Sequence, residues 1–283
     1  MVRRNGIPVR VRRVSSELKE LRLRSGLSAE EVASALGISM SKLSRMETGQ
    51  RGLCVDDVSA LLGLYRVPAL RRDELLALVR SGANRNWWQV KGPHLPEMWD
   101  DLVRFEKEAA AVHNYETMVV PGLLQTSEYA AAIAEGTDPD LTPAEVDSIV
   151  VARMARQKVL HSSAAPTFDF LIEQSVLERV VASCGLMYRQ IRHLISAATR
   201  DNVVVRLTPS SLGAHPGMEG PFVLMEFRNH ADLVHLENRS SSAFLEEAEH
   251  VAVAKNSLSR LHDVALSAGE SIEFMATIAA ELA

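Results

Sequence analysis

The segment LSAEEVASALGISMSKLSRMETGQ (residues 27–50) constrains the fold more than any other part of the chain. Ser28 followed by Glu31 forms a capping box, which satisfies unpaired amides at the start of a helix. Gly37 permits the left-handed backbone that ends this helix. A second helix begins at Ser39 and runs to Thr48. The segment therefore predicts two short helices that are joined by a tight turn.

Three further helices complete the predicted N-terminal domain, since helical periodicity returns in short pieces that glycine or proline separates. The expected helices are Ser16–Arg24, 28–37, Ser39–Thr48, one within Asp56–Tyr65, and Pro68 to about Ser81. We expect residues 16–81 to form a five-helix bundle. Residues 1–15, which are rich in arginine, are expected to form a flexible basic arm.

One face of the 39–48 helix is not expected to contribute to the apolar core. Leu43 and Met46 face inward, and this leaves small and basic residues on the other side. Base edges and phosphates are recognised by such residues on an exposed helix face. The outward residues are Met40, Ser41, Lys42, Ser44 and Arg45.

The strings LRLRSGLS (residues 21–28), EEVA and SKLSRMETGQR (residues 41–51) make residues 16–80 resemble the Cro/cI-type helix-turn-helix, also called the xenobiotic-response-element family. The resemblance implies a cytoplasmic, sequence-specific transcriptional regulator, a repressor or an antitoxin-like factor, that binds a double-stranded DNA operator. Such regulators bind as dimers to half-sites about one turn of DNA apart. We therefore expect a homodimer and an inverted-repeat operator.

The resemblance also assigns roles to individual positions. Residues that read bases in this family correspond to Met40, Ser41 and Arg45, and residues that contact phosphate correspond to Ser39, Lys42 and Arg51. Glu47 matches an acid that caps or pairs within the fold. One departure from the family is Ala29, which stands where a phosphate-binding glutamine is common. Arg24 or the N-terminal arm is a candidate to compensate for that missing glutamine.

The rest of the chain predicts a second domain. Residues 82–96, with Trp87 and Trp88, are interpreted as a linker, and residues 97–283 as a regulatory and dimerisation domain. Helices are expected at Glu97–Asn114, Ser127–Glu135, Pro143–His161, Leu186–Ala198, Glu246–Ala265 and Gly269–Leu282; strands are expected at Thr167–Ile172, Asn202–Leu207, Pro221–Phe227 and Asp232–Leu236. The protein is thus expected to be mainly α, with an α+β C-terminal domain built on a small antiparallel sheet.

Two strings, HNYETMVVPGLLQTSEYAAAI (residues 113–133) and GAHPGMEGPFVLMEF (residues 213–227), make this domain resemble a domain of unknown function that accompanies antitoxin-like regulators in actinomycetes. The resemblance implies a small protein partner encoded nearby. Read as residues, PGLLQT is either a packed helix start or part of a groove lined by Tyr115, Glu116 and Gln125. His215 either makes a backbone hydrogen bond or contacts a ligand.

Composition and missing motifs exclude several classes. The formal net charge of −5 hides 15 Lys and Arg against 9 Asp and Glu before residue 81, and 16 against 27 after it, so a basic head precedes an acidic body. Two distant cysteines favour reduced thiols. No apolar run predicts a membrane span. No metal, cofactor or catalytic motif is present, so we expect a protein that is not an enzyme.

Three alternatives remain open from the sequence. The C-terminal domain of a regulator responds to a small protein, or it senses a small-molecule ligand. In a more distant alternative, the basic head binds an acidic protein rather than DNA. The outward residues of the 39–48 helix oppose this last alternative, because they suit a DNA groove.

Overall fold

The computed structural model describes residues 9–50, 52–80, 87–90, 96–162, 165–228, 230–238 and 241–283. The helices are α1 Val9–Arg24, α2 Ala29–Leu36, α3 Met40–Glu47, α4 Val55–Leu64, α5 Ala69–Arg80, α6 Pro96–Glu108, α7 Ser127–Thr137, α8 Pro143–Arg156, α9 Gln174–Glu178, α10 Cys184–Ala197, α11 Ala248–Val264 and α12 Ala268–Glu281. The strands are β1 Trp87–Val90, β2 Ala111–Glu116, β3 Thr167–Glu173, β4 Val203–Thr208, β5 Phe222–Glu226, β6 Leu233–Glu237 and β7 Ser241–Leu245. The chain is mainly helical, as expected.

The chain divides into two compact units, and α1 to α5 belong to the first. Their inner faces share one apolar core that contains Val14, Leu18, Val32, Leu43, Met46, Val58, Leu61, Leu62 and Leu75. This arrangement confirms the five expected helices. Because each helix presents one apolar stripe, the polar residues of the same helices are left facing outward.

Helix α1 begins at Val9, seven residues before the expected start at Ser16. Val14 and Leu18 are both fully buried, so the apolar stripe of α1 continues toward the N-terminus at a step of four residues. The expectation of a flexible arm is therefore wrong for residues 9–15. For residues 1–8 the expectation lies outside the described part of the chain.

The second unit carries a mixed sheet rather than the small antiparallel sheet that we expected. Five of its strands have the order β6-β5-β2-β3-β4. β2 pairs with β3 and β3 with β4 in parallel, whereas β2–β5 and β5–β6 are antiparallel. Helices α7 and α8 lie between β2 and β3 in sequence, and α9 and α10 between β3 and β4. Parallel neighbours need crossover connections of this length.

The expected helix Glu97–Asn114 is wrong after Glu108, where α6 ends and a short link leads into β2. Ala109 and Val112 continue the three-and-four spacing of α6, so periodicity alone extends the helix too far. Residues 111–116 form a strand instead, because β3 and β5 pair with them on either side. Missing this strand also concealed the parallel half of the sheet.

The other helix and strand boundaries in the second half of the chain agree more closely with those predicted from the sequence. The predicted hairpin between Pro221–Phe227 and Asp232–Leu236 corresponds to the antiparallel pair of β5 and β6. Within the predicted linker, residues 87–90 form strand β1, and most of its remaining residues lie outside the described ranges. The last turns of the predicted helix Pro143–His161 are a 3₁₀ segment, Gln157–His161.

Candidate nucleic-acid interface

The turn between α2 and α3 is built by the residues that the sequence singled out. The Ser28 hydroxyl accepts from the Glu31 amide at 3.2 Å, and the Glu31 carboxylate accepts from the Ser28 amide at 2.7 Å. Gly37 has a φ of 63°, and the Ile38 amide donates to the Ala33 carbonyl at 3.0 Å. The left-handed backbone at Gly37 redirects the chain into α3.

The inward side of helix α3 is held in place by apolar packing and by one ion pair. Leu43 and Met46 are buried in the core. Glu47 is also buried, and it accepts two hydrogen bonds from Arg22, from Nε at 2.7 Å and from Nη2 at 3.0 Å. The hydrogen bonds that Arg22 donates to Glu47 raise the pKa of Arg22, which keeps the pair charged. The sequence assignment of Glu47 as an acid that pairs within the fold is thereby confirmed.

The outer face of α3 holds the predicted contact residues. Ser39, Met40, Ser41, Ser44 and Arg45 are exposed, and Lys42 is half-buried. The Ser39 hydroxyl accepts from the Lys42 amide at 3.1 Å, so it caps the helix start. The structure brings six of the seven predicted DNA-binding residues to one surface, and the seventh, Arg51, lies outside the described residues.

Two basic side chains on this surface are held in different ways. Arg45 donates from Nε to the Ser41 carbonyl at 3.0 Å, which leaves both of its Nη groups for a ligand. Lys42 instead forms an ion pair from Nζ to Asp57 Oδ1 at 2.7 Å. Asp57 comes from α4, and no spacing in the sequence indicates this pairing. The ammonium of Lys42 is therefore partly neutralised before any partner arrives.

The departure at Ala29 has a structural consequence. Its methyl group packs against the core of the first unit, where the related domains often place a longer polar side chain. Arg24, a candidate to compensate, is exposed and pairs with Glu20 at 3.3 Å. An exposed pair of this kind is worth about 1 kcal/mol or less and leaves Arg24 free to rearrange.

In the second unit, Tyr115 and His215 are brought together by Glu173. Tyr115 is fully buried, and its hydroxyl donates to Glu173 Oε1 at 2.6 Å. His215 Nε2 lies 3.6 Å from the same oxygen, and its Nδ1 accepts from the Gly217 amide at 3.2 Å. Burial raises the pKa of Tyr115, followed by the contribution of Glu173. A Cβ at Gly217 would overlap the phenol ring, so glycine is required there.

Gln125 is a structural residue, and the prediction that it lines a groove with Tyr115 is wrong. It is buried, its Nε2 donates to the Val120 carbonyl at 2.8 Å, and its Oε1 accepts from Arg153 at 2.7 Å. Thr126 then caps α7 by accepting from the Tyr129 amide at 3.2 Å. PGLLQT is thus a packed helix start.

Glu116 lies on the opposite face of β2 from Tyr115, because side chains alternate along a strand. The four predicted C-terminal residues therefore do not form one site. Burial, followed by the charge of Glu237, raises the pKa of Glu116 to about 8, and the Asn114 hydrogen bond and Arg156 oppose the shift. Asn114, Glu173 and Glu237 were not found from the sequence, because their roles depend on which strands are neighbours.

Neither a membrane nor a metal site is indicated by the described residues. No helix among them is both long and apolar enough to cross a bilayer. They contain no group of three or more His, Cys, Asp or Glu side chains that is placed to hold a metal ion.

Comparison with solved structures gives a match of low similarity. The structure of TrmBL2, an archaeal chromatin protein described as having a novel mode of DNA binding, matches at 11% identity with a TM-score of 0.30, over 85% of this chain and 88% of that chain. A score this low does not establish a shared fold. No curated protein matches the chain.

Comparison with protein families gives two matches. A helix-turn-helix domain matches residues 13–75, which hold α2, the turn and α3. The domain of unknown function DUF5753 matches residues 99–277. The two matches agree with the resemblances inferred from the sequence, because a helix-turn-helix domain is followed by a C-terminal domain of unknown function. The chain belongs to the DUF5753 family and carries an N-terminal helix-turn-helix domain.

Proposed function

We propose that this protein is a sequence-specific DNA-binding transcriptional regulator that inserts α3 into the major groove of an operator. The observation that carries the proposal is the division of α3 into two sides. Leu43, Met46 and Glu47 are buried, while the opposite side exposes short and basic side chains with no role in packing. Helix-turn-helix proteins present the second helix of the motif to base edges in this way.

The exposed side chains divide by chemistry into base-reading and phosphate-binding groups. Arg45 has both Nη groups available, and these suit the two acceptors of a guanine. Met40 and Ser41 flank it in reach of base edges. Ser39 and Lys42 lie at the helix start, where phosphate contacts position a recognition helix, and Arg51 is assigned to the same task.

The finer role of the protein follows from the family resemblances. We infer a homodimer on an inverted repeat, acting as a repressor or an antitoxin-like factor, with a C-terminal domain that responds to a small protein partner. The partner would bias regulation by binding more tightly to one state of the regulator than to the other. A small-molecule effector is the second candidate, and the half-buried carboxylate of Glu116 favours it.

The proposal is tested by selecting DNA sites from a random library and measuring the affinity of single-base variants. Arg45→Ala should lose about 1–3 kcal/mol of discrimination at one base pair of each half-site, while preferences elsewhere remain. Arg189→Ala is the matched control, because Arg189 is an exposed arginine paired with Glu128 in the other unit. An Arg45→Ala protein with unchanged base preference would refute the assignment. Light scattering on the operator complex tests the dimer.

A further inference from the structure

Helix α11 packs on the sheet of the second unit through a few apolar side chains and a group of charged ones that the DNA-binding proposal does not use. The buried apolar residues of α11 are Ala254, Leu258 and Leu261, which form a narrow stripe. Lys255 and His262 each follow a member of this stripe by one residue. They are two helical turns apart, so they lie on the same side of the stripe. Both side chains reach acids of the sheet.

Two histidines meet at one carboxylate beneath α11. His113 on β2 and Asp169 on β3 are neighbours across the two strands, and His113 Nδ1 lies 3.1 Å from Asp169 Oδ2. His262 Nε2, from α11, lies 2.7 Å from the same oxygen. The other oxygen, Oδ1, is buried and has no hydrogen-bond partner among the described residues. The charge of this largely buried carboxylate is therefore balanced by the two imidazole rings.

The contact between His262 and Asp169 depends on charge more than on a hydrogen bond. The two atoms are close, but their arrangement lacks the direction of a hydrogen bond, and within the described ranges His262 Nε2 has no hydrogen-bond partner. A neutral ring needs an aligned N–H to bind an oxygen, whereas a protonated ring is attracted to a carboxylate by its charge. Loss of the proton from His262 therefore removes most of this attraction.

Two more acids join the same group of charges. Lys255 Nζ lies 2.7 Å from Glu226 Oε1 and 2.8 Å from Asp232 Oδ2. His113 Nε2 is 3.7 Å from Glu226 Oε2, which connects the lysine to the histidines. With both rings protonated, three positive charges match the three acids. With both rings neutral, one positive charge faces three negative ones, and α11 loses part of its attachment.

From this geometry we infer that protons on His113 and His262 hold α11 against the sheet, and that their loss loosens α11, which makes this helix a pH-responsive element of the second unit. The acids whose charges act on His113 are Asp169 and Glu226. The residue of β4 opposite Asp169 is Val204, which carries no charge. The remaining ionisable groups on this face of the sheet, on the 3₁₀ segment that packs there and on α11 are Tyr115, Glu173, Arg206, His215, Glu219, Glu249, His250, Arg260 and Asp263.

The directions of two pKa shifts set the pH range. Burial disfavours the charged form of His113, but the hydrogen bond to Asp169 and the charges of Asp169 and Glu226 outweigh it, so the pKa of His113 is raised above its ordinary 6.5. Burial also opposes ionisation of Asp169, but the two histidines hold the pKa of its carboxyl well below the usual range. A raised histidine pKa stabilises the docked helix fully below pH 6.5, and this stabilisation is lost as pH rises through the raised value.

Hydrogen exchange of the full chain without DNA tests the inference, at pH 6 and pH 8.5 and corrected for the intrinsic exchange rate at each pH. From the lower to the higher pH, the protection of α11 amides should fall by about fivefold more than that of α12, which carries none of these residues. His113→Gln should reduce this difference at least twofold. His161→Gln is the matched control, because His161 is an exposed histidine of the same unit.

A second variant and a second measurement support the same test. His262→Gln changes a ring that is 31% exposed, so it puts folding at less risk, and it should loosen α11 already at pH 6. NMR of carbon-13-labelled histidines should show that His113 titrates above pH 6.5 and that Asp169→Asn lowers its pKa. Protection of α11 that does not change with pH, or that falls equally in the wild type and both histidine variants, would overturn the inference. These measurements contain no DNA, so their outcome is independent of the proposed function.

Discussion

Each unit of the protein contains a buried, two-pronged arginine–glutamate pair, and the surroundings of the two pairs differ. Arg22 and Glu47 lie beside the apolar core of the helix-turn-helix unit, with side chains 12% and 6% exposed. Arg156 and Glu106 in the second unit are 13% and 1% exposed. However, the charges of Glu237 and Glu116 also act on Arg156, whereas Glu47 is the one carboxylate that raises the pKa of Arg22.

This difference teaches that similar geometry can serve two purposes. The charges of Arg22 and Glu47 neutralise each other, so this pair fixes α3 to α1 and leaves function to the outer surface. The second pair shares its arginine with two further acids, because Glu237 and Glu116 also act on Arg156. Four predictions sharpen or break this comparison.

The largest effect is expected for Glu47→Gln. It leaves the Arg22 guanidinium buried without a counter-charge, and removing one partner of a buried pair costs about 3–5 kcal/mol. Hydrogen exchange followed by mass spectrometry should show loss of protection in α1 to α5, with the sheet of the second unit still protected. Glu30→Gln, on the exposed side of α2, is the control. A loss below about 1 kcal/mol would mean that the pair is not structural.

Glu106→Gln should cost less than Glu47→Gln, about 1–3 kcal/mol, although Glu106 is the more buried acid. Arg156 retains the field of Glu237, and Glu116 can ionise beside it, so these two acids partly replace the lost carboxylate. The same variant should lower the pKa of Glu116, because Arg156 becomes available to it. Carbon-13 NMR of the glutamate side chains measures that pKa. Equal losses for the two variants would break the comparison.

The third prediction concerns pH. An acid with a pKa of about 8 in the folded state and about 4.3 unfolded makes folding less favourable as pH rises between these values. The second unit should therefore lose stability from pH 5 to pH 8, and Glu116→Gln should flatten this slope. Urea unfolding at both pH values measures it, and the gain should appear at pH 8 and not at pH 5. A slope unchanged by the substitution contradicts the prediction.

The smallest effect is expected for Asp57→Asn, which releases Lys42 on the surface of α3. The half-exposed pair contributes about 1 kcal/mol or less to folding, so stability should change little. Free Lys42 adds one phosphate contact, and the slope of log affinity against log salt should steepen by about 0.9. Asp56→Asn, one residue earlier and exposed, should leave the slope unchanged. Titrations of a fluorescent operator at several salt concentrations decide between them.

Sequence reasoning worked best where a property is local. Capping by Ser28, the left-handed turn at Gly37 and the outward face of α3 all follow from spacing within 24 residues, and the structure places each as predicted. Sequence reasoning failed where contacts between residues that are far apart in the chain determine the structure. The start of α1 depends on the burial of Val14, and residues 111–116 form a strand because β3 and β5 flank them.

The same distinction between local spacing and long-range contacts applies to the residues of the candidate sites. Arg45 was found because Leu43 and Met46, three residues apart, define the inward side of α3, and Arg45 lies off that side. Lys42 was found too, but its partner Asp57 is 15 residues away and invisible to periodicity. In the second unit, Tyr115 and Glu116 are consecutive in the chain, yet they face opposite sides of the sheet. Only the strand register gives each of them its real neighbours.

The length of α1 changes how much positive charge the N-terminal region can offer to a nucleic acid. Arg12 and Arg13 lie within this helix and are 3% and 5% exposed, and Arg22 is neutralised by Glu47. The surplus counted in the sequence is six positive charges, 15 minus 9, and the burial of Arg12 and Arg13 makes about a third of it internal. The affinity of sequence-independent DNA binding rises with the number of phosphates that the protein neutralises. We therefore expect a short residence time of the protein on non-target DNA. Occupancy of a genomic target would then depend on correct base contacts rather than on general attraction.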